Sequence, residues 1–197
     1  MTPSPRAVLD SSSRAVLDTK VTAHALAARA GDRTALGEFI RLTQSDVWRF
    51  LAHLAGREAA DDLTQETYLR AMDALPSFRG ESPARTWLLT IARRTAVDRF
   101  RAEGIRPTHV PVTPDHLMVA DATTRIEVEQ LLAGLDPDRR EALVLTQLVG
   151  FSYAEAAEII GVPIGTIRSR IARARAQLVD EWSDAVPALL SDHRLIS

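Results

Sequence analysis

From Val21 to about Phe100 the apolar residues recur at helical intervals, and the alternation expected of a half-buried strand is absent. Thr34 is placed to cap a helix that runs through Phe39, Val47, Phe50 and Leu54 and stops near Gly56. A second helix is expected over 58–75, ended by Pro76. Pro83 fits the first turn of a third, whose inner side is Trp87, Leu88, Ile91, Ala92 and Val97. At Gly104 the pattern breaks. Pro107, Pro111 and Pro114 each lack an amide donor and restrict the residue before them, which excludes a continuous helix over 104–123. Periodicity resumes near Thr124 and lasts to Trp182. Asp136 and Pro137 read as N-cap and first helical residue of a helix ending at Gly150, and Ser152 with Glu155 forms a capping box for a short helix that stops at Gly161. The expected fold class is all-α. Two small helical domains, 21–103 and 124–182, are joined by an extended linker, 104–123, with a flexible leader, 1–20, and a C-terminal tail, 183–197. The leader holds a short repeat, PRAVLD then SRAVLD.

Composition removes several classes of function. With no cysteine there is neither a disulfide nor a thiolate metal site. No apolar run approaches the ~20 residues of a membrane span, so membrane insertion is disfavoured and a cytoplasmic location is expected. The net charge is only −2, yet the charge is unevenly placed. Seven arginines lie between Arg79 and Arg106 against Glu81, Asp98 and Glu103, whereas Glu58, Asp61, Asp62, Glu66 and Asp73 face only Arg57 and Arg70 in the preceding segment. An acidic surface beside a basic one points to two different partners.

The C-terminal segment GTIRSRIARARAQL, 165–178, carries four arginines on an amphipathic helix. Ile167, Ile171, Ala174 and Leu178 form its apolar stripe. Arg168 and Arg175 border one side of that stripe, and Arg170 and Arg173 the other. Ala157, Gly161 and Ile167 have the spacing of two helices that cross steeply around a glycine turn, the helix-turn-helix arrangement. Thr166, Arg168, Ser169 and Arg170 then stand near the leading end of a reading helix, where base edges are reached, and Arg173 and Arg175 are placed to grip the backbone.

In the N-terminal half, residues 76–101 interleave Phe78 and Trp87 with Arg79, Arg85, Arg93 and Arg94. Aromatic rings among arginines suit single-stranded nucleic acid, because every base offers a stacking face and every nucleotide a charge. A packed core is the competing use of both rings.

Three segments in this order, DDLTQETYLRAM at 61–72, FRGESPARTWLLTIARRTAVDRFR at 78–101 and the helix-turn-helix stretch at 135–178, resemble the bacterial RNA polymerase sigma factors of the extracytoplasmic-function (ECF) group. The resemblance implies a promoter-specificity subunit that binds core RNA polymerase, opens the −10 element and reads the −35 element. It implies that Asp61, Asp62, Gln65, Glu66, Leu69 and Arg70 face the β′ coiled coil, with the β subunit as a second contact. It assigns Ser77, Phe78, Arg79, Gly80, Arg85, Thr86, Trp87, Arg93 and Arg94 to the melted −10 strand, the turn cradling a flipped base. Pro163, Gly165, Thr166, Arg168, Ser169, Arg170, Arg173 and Arg175 are assigned to the −35 duplex. Related proteins are held by anti-sigma partners through the same surfaces. The i, i+4 series Asp62, Glu66 and Arg70 makes a polar stripe with Leu63, Tyr68, Leu69 and Met72 on the buried side. A stand-alone helix-turn-helix regulator of duplex DNA would need neither the acidic stripe nor the aromatic-basic segment. Asp61, Asp62 and Glu66 share one helix with no convergent second cluster, so no catalytic residue, metal or cofactor is expected. The linker allows the two domains to clamp together and mask their DNA-binding faces.

Overall fold

A computed structural model of the chain describes residues 11–104, 132 and 134–192, with side chains described up to residue 180. The proline-containing linker, the first copy of the leader repeat and the last five residues lie outside the described residues.

The elements are α1 (Ser11–Arg29), α2 (Arg33–Ala55), α3 (Arg57–Ala74), a 3-10 turn (Leu75–Ser77), α4 (Ala84–Ala102), α5 (Pro137–Leu143) continued by a π turn (Val144–Leu148), α6 (Tyr153–Ile160) and α7 (Ile164–Asp192). No strand occurs among the described residues. Asp32, rather than Thr34, caps α2: its carboxylate accepts the Thr34 and Ala35 amides at 2.9 and 3.0 Å, and Thr34 lies inside the first turn. Gly56, at φ +86°, ends α2 and admits α3 at once. Pro83 stands just outside α4 as its N-cap and offers no side-chain acceptor.

Residues 11–20 are the first half of α1 and not a loose leader. Val21 and Ala25 are fully buried, and Asp18, from the second copy of the repeat, reaches into the molecule to pair with Arg85. Likewise α7 continues past Trp182 to Asp192, through much of the stretch assigned to a tail.

Helices α1 to α4 pack around Phe39, Val47, Phe50, Leu51, Leu63, Leu88 and Leu89. This cluster does not end at the linker. It continues through Val144, Leu145, Val149, Phe151, Ile159, Ile160, Ile167 and Ile171, so the two halves share one apolar core. A separate small cluster of Leu132, Leu135, Leu143 and Ala174, with Leu148 and Leu178, belongs to the C-terminal half alone. The π turn explains how α5 serves both. Its wider winding, closed by Val149 N–H to Val144 O at 2.9 Å and Phe151 N–H to Leu145 O at 2.8 Å, turns Val144, Leu145 and Val149 to the shared core while Leu143 stays with the smaller one and Leu148 touches both. A regular α-helix to Gly150 presents one stripe and could not do this.

His53 lies at this seam, buried beside Arg140 and Glu141 in a cleft with Phe50, Leu54, Pro137 and Val144. Burial, then repulsion by Arg49 and Arg140, lowers its pKa from 6.5 to about 4. Between those values the unfolded chain binds a proton that the folded chain does not, so this contribution is complete above pH 6.5 and is lost as the pH falls toward 4. Equilibrium unfolding at pH 7 and pH 4 tests it. Over that interval His53→Gln is expected to lose about 3 kcal/mol less stability than the wild type.

Candidate nucleic-acid interface

Gly161 sits in the left-handed region, φ 78° and ψ 38°, and its N–H donates to Ala157 O at 2.9 Å. Val162 N–H donates to the same carbonyl, which closes α6 and releases the chain into α7. Ser152 and Glu155 form both bonds of the capping box, and Ile167 is the fully buried anchor of α7. The helix-turn-helix is therefore built as its spacing predicts.

Its four arginines divide differently from the wheel. Arg170 pairs with Asp138 of α5, and Arg175 donates to Gln147 Oε1 at 3.3 Å, so both tie α7 to its own half. Arg168 and Arg173 are exposed and make no hydrogen bond or ion pair among the described residues. Ser169 and Gly165 are exposed beside them, and a Cβ built on Gly165 would meet nothing within 4 Å. Pro163 is exposed too, its carbonyl taking the Thr166 N–H at 2.8 Å. The face open to a ligand is thus Pro163, Gly165, Arg168, Ser169 and Arg173, with Thr166 half-buried at its margin.

In the N-terminal half the structure separates residues that point outward from residues that brace the turn. Ser77 and Arg79 are exposed on the turn and Arg94 on α4, and Gly80, at φ +74°, needs the left-handed region that glycine favours. Phe78 is only 4% exposed and stacks on the half-buried Trp87 with ring centroids 4.8 Å apart, and Thr86 is fully buried. Phe78 and Thr86 are therefore packed beneath the turn, and Trp87 keeps part of its surface exposed.

Arg85 is 2% exposed. Its Nη1 donates to Asp18 at 2.8 Å, its Nη2 to Asp46 at 2.7 Å, and its guanidinium lies 4.8 Å from the centroid of the Phe151 ring. Burial opposes the cation, and Asp46 and Asp18 together outweigh it, so its pKa is raised. Arg93 bonds Glu141 at 2.7 Å across the seam between the two halves. Burial pushes the Glu141 carboxyl up, and Arg93 draws it only part of the way back. Two arginines expected on phosphates are thus committed inside the protein, one bracing its own half and touching Phe151, the other joining the halves. Clamping takes Arg93 of α4 into the seam and leaves Arg94 and the open face of α7 uncovered.

The acidic stripe of α3 is mixed. Asp61, Asp62 and Gln65 are exposed, while Glu66 bonds Arg70 at 2.7 Å and Arg70 reaches Asp98 of α4 at 2.8 Å. Asp61 accepts Trp48 Nε1 at 2.7 Å. Leu63 and Tyr68 are buried as expected, but Leu69 and Met72 are 55% and 40% exposed. Leu69 and Met72 thus stand in water on the same helix as the exposed carboxylates of Asp61 and Asp62.

The residues that sequence reasoning missed are Asp18, Asp46 and Glu141. Each is an ordinary charged residue on an amphipathic helix, and the packing of helices brings it to an arginine 39 to 67 positions away.

Known proteins match this arrangement. The pattern of Sigma-70 region 2 matches residues 39–105, and that of Sigma-70, region 4, matches residues 125–178. The chain is 51% identical over 176 residues to the ECF RNA polymerase sigma factor SigC of Mycobacterium tuberculosis, covering 86% of this chain and 94% of that one. It is 33% identical over 166 residues to the ECF RNA polymerase sigma-E factor of Haemophilus influenzae, covering 75% and 87%. Among solved structures, CnrH in complex with the cytosolic domain of CnrY aligns with a TM-score of 0.67 at 26% identity, over 84% of this chain and 98% of that one. The sigma factor RpoE in complex with the anti-sigma factor NepR, from Bartonella quintana, aligns with a TM-score of 0.63 at 28% identity, over 74% and 94%.

The split among the α7 arginines has a stability signature. Arg170→Ala leaves Asp138 unpaired and is expected to cost about 1 kcal/mol, whereas Arg168→Ala and Arg173→Ala stay within about 0.5 kcal/mol of wild type in urea unfolding.

Proposed function

Because this chain belongs to the ECF group of the sigma-70 family, the non-enzymatic subunits that bind core RNA polymerase and direct transcription initiation, we propose that it divides that task among three surfaces. The exposed strip of α3 docks on the β′ coiled coil. The turn at 77–83 with Arg79, Arg94 and the outer parts of α4 engages the melted −10 strand. The open face of α7, with Pro163, Gly165, Thr166, Arg168, Ser169 and Arg173, enters the −35 groove. Residues 21–103 and 124–182 are the units that carry these surfaces, with α1 extending the first. The working place of such a subunit is the cytoplasm.

The observation that carries the reading is the strip on α3, where Asp61, Asp62 and Gln65 lie exposed together with Leu69 and Met72. A helix whose opposite side holds the buried Leu63, Thr67 and Tyr68 has no structural need to show apolar residues to solvent. Carboxylates steer the encounter with a basic partner and apolar burial holds it.

In the closed arrangement the C-terminal half lies against α4 through Phe151 and Glu141, so contact of Arg93 with DNA requires the halves to part. An anti-sigma partner fits the same scheme by holding the exposed surfaces from outside. Support comes from RpoE, a structural neighbour solved with an anti-sigma factor.

Co-elution with bacterial core RNA polymerase tests the docking strip. Wild type is expected to co-elute and Asp62→Arg with Glu66→Arg to fail, with unchanged circular dichroism. Loss of binding with loss of helix, or retention of binding, defeats the assignment. On the DNA side, Arg168→Ala and Arg173→Ala in the holoenzyme are each expected to lower the slope of log affinity against log salt by about 1, as removal of one phosphate contact does.

A further inference from the structure

Helix α1 precedes the region 2 match, which begins at residue 39, and none of the surfaces above uses it. It nevertheless makes a set of contacts aimed at one place. Asp18, Thr22, Leu26 and Arg29 follow one another at intervals of four, four and three and so share a helix face. That face meets the segment from Phe78 to Arg85. Arg29 Nη1 donates to the Phe78 carbonyl at 2.7 Å. Leu26 lies against Gly80, where a Cβ would stand 3.5 Å from its methyl carbons. Thr22 Oγ1 accepts the Ala84 N–H at 3.0 Å, and Asp18 takes Arg85 Nη1.

Two of these contacts hold backbone rather than side chains. The first amides of a helix lack partners within it, and Pro83, the N-cap of α4, has no side-chain acceptor to offer. Thr22 supplies the missing cap from another helix. At the other end of the turn, Arg29 fixes the carbonyl of the residue whose ring is stacked on Trp87. Between these anchors the chain has only bends and a left-handed glycine to define it. A turn of this composition is ordinarily a mobile surface loop. A pocket that tells one base from another must hold its groups to within a fraction of an ångström.

We propose that α1 is the positioning element of the −10 turn: Arg29 and Thr22, without touching DNA, hold residues 78–84 in the shape that discriminates bases. The proposal rests on the reading of residues 77–83 as the −10 contact. The fully buried residues of α1 are Val21 and Ala25, neither of which makes the backbone contacts of Thr22 and Arg29. Thr22→Val and Arg29→Ala therefore remove the two anchors and leave the helix docked.

The test uses the full chain assembled with core polymerase on a duplex DNA library randomised over both promoter elements, with the selected templates sequenced. Arg29→Ala and Thr22→Val are each expected to lower discrimination between the best and second-best base in the −10 element about tenfold, the factor that corresponds to one good base contact. Core co-elution and the −35 preference should not change, and Arg29→Lys, which keeps an N–H donor, should recover most of the loss. A role confined to stability would lower the melting temperature and leave base preference alone, so α1 variants that bind core and keep the wild-type −10 preference overturn the proposal. Arg79→Ala separates the two levels. If it alters the −10 preference while the α1 variants do not, only the positioning role falls. If neither it nor the α1 variants alter that preference, the reading of the turn falls and takes the proposal with it. Should Arg29→Ala fail to fold, Arg29→Gln carries the same comparison.

Discussion

A guanidinium at 2% exposure has lost nearly all of its water and must recover charge and hydrogen bonding from the protein itself. Arg85 does so by collecting Asp18 from α1 and Asp46 from α2 around the first turn of α4, and by taking the Phe151 ring over its plane. Four elements thus meet on one side chain. The register of α1 against α4 depends on it, and so do the backbone contacts that α1 makes with the turn before α4 and the place at which the C-terminal half rests. A carboxylate at either partner position also keeps the cation satisfied without solvent, which is why a residue suited to phosphate is spent here on architecture.

The seam between the halves combines an apolar core with the ion pair of Arg93 with Glu141, in which the carboxylate is buried and the arginine is about a quarter exposed. Apolar burial supplies the closing tendency, while the pair fixes where the halves meet. The partition this produces is asymmetric. Arg93 on α4 is taken into the seam, while Arg94 on α4, Ser77 and Arg79 on the turn, and Arg168 and Arg173 on α7 are not. The faces exposed in the closed chain therefore include the α3 strip, acidic and partly apolar, the outer side of the turn with Arg94, and the face of α7, cationic and built of small residues.

Much of the local structure was legible in the sequence because it is local. The capping box of Ser152 and Glu155, the glycine stops at 56 and 161 and the buried stripe of Ile167, Ile171 and Ala174 depend on residues a turn or two apart, and they were built as written. The fold class and the two matched regions followed from three segments in a fixed order along the chain. Less accurate were the choice of Thr34 over Asp32 as a cap, the inward placing of Leu69 and Met72 and the loose leader. A helical wheel gives the angle of a residue but not which helix lies opposite it.

The same limit governs the functional residues. Composition and spacing alone determined that the chain is helical, that its charge is segregated, and that a reading helix ends it with arginines flanking an apolar stripe. Only the packed molecule decided that Arg85 is buried between Asp18 and Asp46, that Phe78 and Thr86 are buried, that Arg170 is tied to Asp138 while Arg168 is open, and that Arg93 closes the seam. The physical reason is that a charge takes its function from the partner within a few ångströms of it, and for these residues that partner lies between 32 and 67 positions away along the chain.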